Sequence, residues 1–250
     1  SGAIARGRGP TDNDKFIHAF KGQNVDRALA RRRQDAAQRV VEAEEAQVRK
    51  PPQRLRLSVD LAATPRSGSA VKVRDLQVEQ RLRLEALDLA AGEHLLVTGA
   101  NGVGKSTLLG VLSGRIRPTR GDVQINARRL AELTQDPEFP DLRRSPADVY
   151  AEQAGAEAPP LTDLGLLHPR DVRRPIGVLS VGQRRRLALA LAVAARPDLL
   201  LLDEPTNHIS LTLASELEEA IGHSPATVVV ASHDRWLRRR WRGVELALLG

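Results

Sequence analysis

The 250-residue chain has no cysteine, which excludes disulfides, iron–sulfur clusters and cysteine-ligated zinc and fits a reducing compartment such as the cytoplasm. It has no methionine either, and a chain that opens Ser1-Gly2-Ala3 reads as a piece of a longer protein reaching further toward the N-terminus. Aromatic residues are 2% of the total, and no Phe, Tyr or Trp occurs between Lys21 and Glu138. No apolar run is long enough to span a bilayer. The best candidate, Leu187 to Leu202, is interrupted by Arg196-Pro197-Asp198. No signal peptide is visible, so no membrane role is expected. His18, His94, His168 and His223 are scattered without metal-ligand spacing.

What is present is unevenly distributed. Residues 1–56 carry 13 Lys and Arg against 7 Asp and Glu, whereas the remainder is nearly balanced at 25 against 24. A local positive field of this kind suits polyanions such as nucleic acid, although a solvated helix face gives the same imbalance. In this segment Val25, Leu29, Ala36, Val40 and Ala43 recur at helical spacing until Pro51-Pro52 stops the pattern. The apolar stripe is narrow and Ala-rich, suited to packing on another helix and too thin for a core. From Leu55 the texture changes to short alternating strands, Leu55 to Val59 and Val71 to Arg74, as in an antiparallel β layer. These shifts divide the chain into a helical segment over 1–53 and an α/β domain over 54–250.

Three short apolar runs, Glu93 to Thr98, Leu199 to Leu202 and Thr227 to Ala231, read as buried parallel strands. The first leads into Gly99-Ala100-Asn101-Gly102-Val103-Gly104-Lys105-Ser106-Thr107, which fits G-x-x-x-x-G-K-[ST] between a strand and a helix over Ser106 to Leu112. Glycines let the backbone N–H groups of Gly99, Asn101, Gly102 and Gly104 turn toward phosphates. Lys105 reaches the β and γ phosphates, the Ser106 hydroxyl ligates magnesium, and Thr107 completes the nucleotide-binding loop. Leu199-Leu200-Leu201-Leu202-Asp203-Glu204 ends the second strand in two carboxylates, where open α/β sheets place their ligands. Asp203 would hold the metal through its water shell, and Glu204 would polarise the attacking water. ATP and Mg2+ are the expected cofactors. A stretch rich in charge and proline, roughly Leu142 to Ala195, reads as helical and separates the first two strands. The tryptophans of a C-terminal basic segment, Trp236 and Trp241, are expected to dock it onto the sheet while its arginines face water.

Leu179-Ser180-Val181-Gly182-Gln183 precedes an apolar helix over Leu187 to Ala195. The order of glycine loop, L-S-x-G-Q, apolar-Asp-Glu and then Ala231-Ser232-His233-Asp234 resembles the nucleotide-binding domain of the ATP-binding cassette superfamily. The resemblance implies a P-loop α/β fold with an antiparallel β layer and a helical signature subdomain. It also implies that Ser180, Gly182 and Gln183 close over the nucleotide of a second cassette, that His233 contacts the γ-phosphate, and that Gln135 senses magnesium. Two departures stand out. The family's adenine-stacking aromatic is missing, leaving the guanidinium of Arg81 or Arg83 as a substitute platform, and Ser210 stands where many cassettes carry aspartate.

Asp203-Glu204-Pro205-Thr206-Asn207-His208 resembles the form found in the ABC-F subfamily, in which two cassettes in one chain are joined by a helical linker without a membrane domain. The basic helix ending at Pro51-Pro52 is similar to the second half of such a linker. The resemblance implies a cytoplasmic ATPase acting on the ribosome through rRNA and tRNA contacts, in antibiotic resistance or translation regulation. Near-inactivity is expected of the chain without a second cassette, supplied by the rest of the same protein or by a homodimer. The rival expectation is the ATPase subunit of a membrane transporter.

Overall fold

The computed structural model describes residues 68–154, 158–207, 209 and 211–249. The expected linker over 1–53, the Leu55 to Val59 strand, His208 and Ser210 lie outside the described residues.

The antiparallel layer contains β1 (Ser69–Val78), β2 (Leu82–Ala90) and β4 (Arg120–Ile125), in the order β2-β1-β4. Val71 and Val73 point into the core while Lys72 and Arg74 face solvent, the alternation a sheet with one wet face requires. That phase would bury Asp75. Instead Asp75 adopts φ 48 at a register shift between Arg74 and Gln77, and the bulge restores burial to Leu76 and Val78.

The parallel sheet contains β3 (His94–Thr98), β5 (Leu130–Leu133), β6 (Leu199–Asp203), β7 (Thr227–Ala231) and β8 (Val244–Ala247), in the order β5-β6-β7-β3-β8. Its central strands look uniformly apolar but serve two cores. Leu95, Val97, Leu199, Leu201, Val229 and Ala231 join the β1–β2 face and helix α1 (Lys105–Leu112). Leu96, Leu200, Leu202, Val228 and Val230 face the opposite side, toward α3 (Val181–Ala194) and α4 (Leu211–Gly222). Burial on both faces explains why no polar alternation is visible in these strands.

The stretch expected to be helical between Leu142 and Ala195 is so only in part. Helix α2 (Pro146–Gln153) begins at a capping box in which Ser145 accepts from the Asp148 N–H and Asp148 reaches back to the Ser145 N–H. Residues 158–175 then run as turns, because Pro159, Pro160, Pro169 and Pro175 lack the N–H a helix needs. A short 3-10 turn, Ile176–Val178, leads to α3. The last helix, α5 (Arg235–Arg240), is capped by Asp234 and packs through Trp236 and Leu237 against the second core, with Trp241 beside it. Arg235, Arg238, Arg239 and Arg240 are exposed, in line with the sequence expectation.

Candidate functional site

Parallel pairing brings the candidate site segments to one sheet edge. Val97 pairs with Ala231, Asp203 with Ala231, and Leu133 with Leu202. The chain therefore leaves β3 into the glycine loop, β6 into Glu204, β7 into Ser232 and His233, and β5 toward Gln135, all beyond the same carboxyl ends. This is where an open α/β sheet binds ligands.

Two glycines of the loop illustrate its backbone demands. Gly104, the N-cap of α1, has φ 107, and a Cβ there would stand 2.5 Å from the Arg81 carbonyl oxygen. Gly102 has φ 83 with open space around it, so its requirement is conformational rather than steric. No side chain caps α1, and its first N–H groups are left for an anion. Lys105 is 7% exposed, and its Nζ donates to the carbonyl oxygens of Gly99 and Ala100 at 3.0 Å each. The Ser106 hydroxyl lies beside the Asp203 carboxylate and favours its charged form. Asn101 is exposed, and Thr107 lies in the first turn of α1, partly covered.

Asp203 and Glu204 are both buried. Burial raises the Asp203 carboxyl above its usual range, opposed by the Ser106 hydroxyl, reinforced by the charge of Glu204 and opposed again by that of Arg185. Its Oδ1 has no hydrogen-bond partner. An orphaned buried carboxylate oxygen beside the Ser106 hydroxyl is the donor set a hard divalent cation takes, so these residues fit magnesium. Glu204 adopts φ 48, an uncommon conformation for a residue with a side chain. Its N–H donates to the Ala231 oxygen at 2.8 Å, its Oε2 accepts from the Ser232 hydroxyl at 3.1 Å, and its Oε1 lies 2.7 Å from His233 Nδ1. The carboxylate is thus aimed by two residues of the β7 exit. His233 remains half-exposed at the rim. Ser232 was legible only as part of the Ala-Ser-His-Asp string; its hold on Glu204 was not.

Gln135 is exposed and lies two residues beyond β5. Its carbonyl accepts from Arg185 Nη1 at 2.7 Å. Sequence reasoning passed over Arg185, since nothing in Arg184-Arg185-Arg186 marks which arginine turns inward. Ser180 is the N-cap of α3, in a capping box with Gln183. The Gln183 side chain accepts from the Ser180 N–H at 2.8 Å and donates to buried Asp171 at 2.8 Å. Asp171, also unforeseen, thereby holds the start of α3. Among the described residues, Ser180, Gly182 and Gln183 make no hydrogen bond to the phosphate loop. Val178 and Val181 beside them are more than half exposed. Of the two arginines considered for base stacking, Arg81 adjoins the loop through its backbone. Arg83 is an exposed residue of β2, and it is the neighbouring Leu82 side chain that approaches Gly104.

A phosphate loop, a buried carboxylate pair and a histidine gathered at one edge of this sheet define a nucleotide-binding cassette. Residues 85–207 match the family described as ABC transporter. The tylosin resistance ATP-binding protein TlrC of Streptomyces fradiae is 37% identical over 236 residues, covering 92% of this chain and 43% of TlrC. The energy-dependent translational throttle protein EttA of Mycobacterium tuberculosis is 36% identical over 154 residues, 58% of this chain and 27% of EttA. The cobalt import ATP-binding protein CbiO of Rhodobacter capsulatus is 36% identical over 179 residues, 60% of this chain and 64% of CbiO. In fold, a dimeric post-hydrolysis ATP-binding cassette bound to ADP and phosphate aligns with a TM-score of 0.57 at 22% identity, covering 71% of this chain and 94% of that one. Residues 85–207 of the chain are an ATP-binding cassette domain. The chain spans less than half the length of TlrC and EttA.

Proposed function

We propose that this chain is the linker and second cassette of an ABC-F ATPase that works on the ribosome in antibiotic resistance or translation regulation. The observation that carries the reading is the reach of the TlrC match. At 92% of the chain it leaves only about 20 residues unmatched, so it extends well into the basic segment before the cassette. The net positive charge there suits RNA phosphates, whose contacts dominate nucleic-acid affinity. The division into 1–53 and 54–250 and the cytoplasmic location belong to the same proposal.

At the chemical level, the N–H groups of residues 99–107 cradle the phosphates, and a γ-phosphate takes the place that the Gly99 and Ala100 carbonyls hold on Lys105. Ser106, Asp203 and Gln135 would hold magnesium. Bound with the nucleotide, the metal neutralises charge on the transferred phosphoryl group. Glu204, aimed by Ser232 and His233, accepts hydrogen-bonding from the attacking water, and His233 at the rim contacts the γ-phosphate. Arg81 supplies the face for the base, which predicts weak discrimination between purines. Ser180 and Gly182 serve the nucleotide of a second cassette, with Gln183 shaping that helix start. Turnover by this chain alone is therefore negligible at low concentration and second order in protein where it pairs with itself.

The test is cosedimentation of the Glu204→Gln chain with purified ribosomes in the presence of ATP. Pelleting that depends on ATP and is lost when residues 1–53 are removed supports the proposal, and the absence of pelleting at low salt overturns it. The similarity to CbiO favours a second reading, a transporter ATPase. No helix among the described residues is long and apolar enough to cross a membrane, so that reading requires a separate permease. Binding to membranes carrying a permease, and not to ribosomes, would establish it.

A further inference from the structure

Arg185 is a buried cation whose hydrogen bonds go to backbone rather than to carboxylates. It is 4% exposed; Nη1 donates to the Gln135 oxygen at 2.7 Å, and Nη2 donates to the Asp203 and Glu204 oxygens at 2.8 and 2.6 Å. Burial pulls its pKa down, opposed by the charges of Asp136, Asp203 and Glu204, which marks a place that is costly for a cation. Such a group persists where its donors are needed. The three residues it grips are those assigned to magnesium sensing, metal holding and water activation. Gripping carbonyls leaves all three side chains free to face the nucleotide.

Two further observations give this grip a role beyond packing. Glu204 sits at φ 48, and a strained conformation persists only where the surroundings over-determine it. Here the Ala231 oxygen holds its N–H and Arg185 holds its carbonyl. Arg185 also lies five residues after Ser180 on the same helix, about 7.5 Å along the axis at 1.5 Å per residue. Through the capping box and the Gln183–Asp171 bond, the start of α3 is a rigid unit. A displacement of that unit is transmitted to all three carbonyls together, because a planar guanidinium reaches in two directions at fixed geometry.

We propose that Arg185 is a positioning residue that couples the signature end of α3 to this cassette's own catalytic edge, so that engagement of Ser180 is felt at Glu204. The coupling rests on the reading of Ser180 as serving a partner's nucleotide.

The experiment compares the 250-residue chain with Arg185→Met and Arg185→Lys, using mant-ATP binding with magnesium, ATP turnover at concentrations where the rate is second order, melting temperature, and amide hydrogen exchange. For Arg185→Met the expected result is mant-ATP affinity within about threefold and kcat lower by roughly 10²-fold, the scale of a 1 Å misplacement. Arg185→Lys is expected to recover part of the kcat. Exchange at the Glu204 and Asn207 amides should rise in Arg185→Met while that at Ser232 and Leu248 is unchanged. Unchanged kcat, or parallel loss of affinity, kcat and melting temperature with no benefit from lysine, would overturn the proposal and leave a structural role only. Turnover that is indifferent to Glu204→Gln takes down the ATPase reading instead, whereas turnover absent altogether is the expected behaviour of a chain that does not pair with itself. Hydrogen exchange still decides Arg185 in that case: exchange confined to Glu204 and Asn207 supports the grip, and uniform or unchanged exchange refutes it.

Discussion

Two helices of this molecule begin in opposite ways. Helix α1 starts at a left-handed glycine with no side-chain cap, with Lys105 laid across its loop and Ser106 beside Asp203. Helix α3 starts at a serine whose capping box consumes the Gln183 N–H and the Ser180 N–H within the chain. Both are helix N-termini, and both carry the dipole that favours an anion. Only α1 is surrounded by the cation, hydroxyl and carboxylates that a nucleotide with its metal requires. The start of α3 is satisfied internally and offers a hydroxyl, a glycine and exposed Val178 and Val181, which suits contact with something another chain brings. A helix N-terminus becomes a complete site through its neighbours, not through the dipole.

The sharpest way to break this contrast is Glu204→Gln. It is expected to lower turnover of the paired cassette by about 10²- to 10⁴-fold, the range for a positioned general base, while mant-ATP binding survives. An equal loss of binding would mean that the edge near α1 is not where the water is activated. Next in size is Gly104→Ala, which places a Cβ 2.5 Å from the Arg81 oxygen at φ 107. A destabilisation of about 1–3 kcal/mol in urea unfolding is expected, as for residues forced into such backbone regions. Gly182→Ala, at a helical position of α3, should instead be neutral or stabilising by up to about 1 kcal/mol. Equal effects of the two alanines would erase the difference between the helix starts.

Ser180→Ala removes a cap and should cost about 1 kcal/mol in thermal or denaturant unfolding. It should also lower turnover of the paired cassette without changing the chain's own mant-ATP affinity. The smallest effect concerns Asp203. Its carboxyl is raised in the folded chain, so the stability it contributes is present below the usual value of 3.8 and is lost as pH rises through the folded value. At neutral pH without metal, Asp203→Asn should therefore raise the melting temperature, by about 2–4 °C for each kcal/mol relieved. Added magnesium and ATP should stabilise the unaltered chain and leave the variant little changed. A variant that melts lower in metal-free buffer would show that the buried charge is already compensated by Ser106 and Arg185.

Much of the site was legible because its signals are local. A glycine loop after one apolar strand, two carboxylates ending another and Ser232-His233 ending a third each declare a strand exit. Gln135 was legible only through the family resemblance, and it stands two residues beyond β5. The positioning residues were not legible. Arg185 is flanked by two other arginines, Asp171 lies among turns, and Ser232 acts on a carboxylate 28 positions away. Each works through a contact that exists only once distant segments pack. The Asp75 bulge escaped for a related reason, since it is defined by pairing with β4 rather than by any run of residues.

The sequence by itself determined the α/β cassette fold and the residue types of its candidate site, because those requirements are short-range: a backbone able to turn, a lysine, a hydroxyl and carboxylates at strand ends. Only the tertiary structure decided the rest. Parallel register brought four strand exits to one edge, burial left Asp203 Oδ1 without a partner, and a buried arginine joined the start of α3 to Glu204. The physical reason is that strand order, desolvation and long-range hydrogen bonds depend on which segments become neighbours, and no local pattern encodes that.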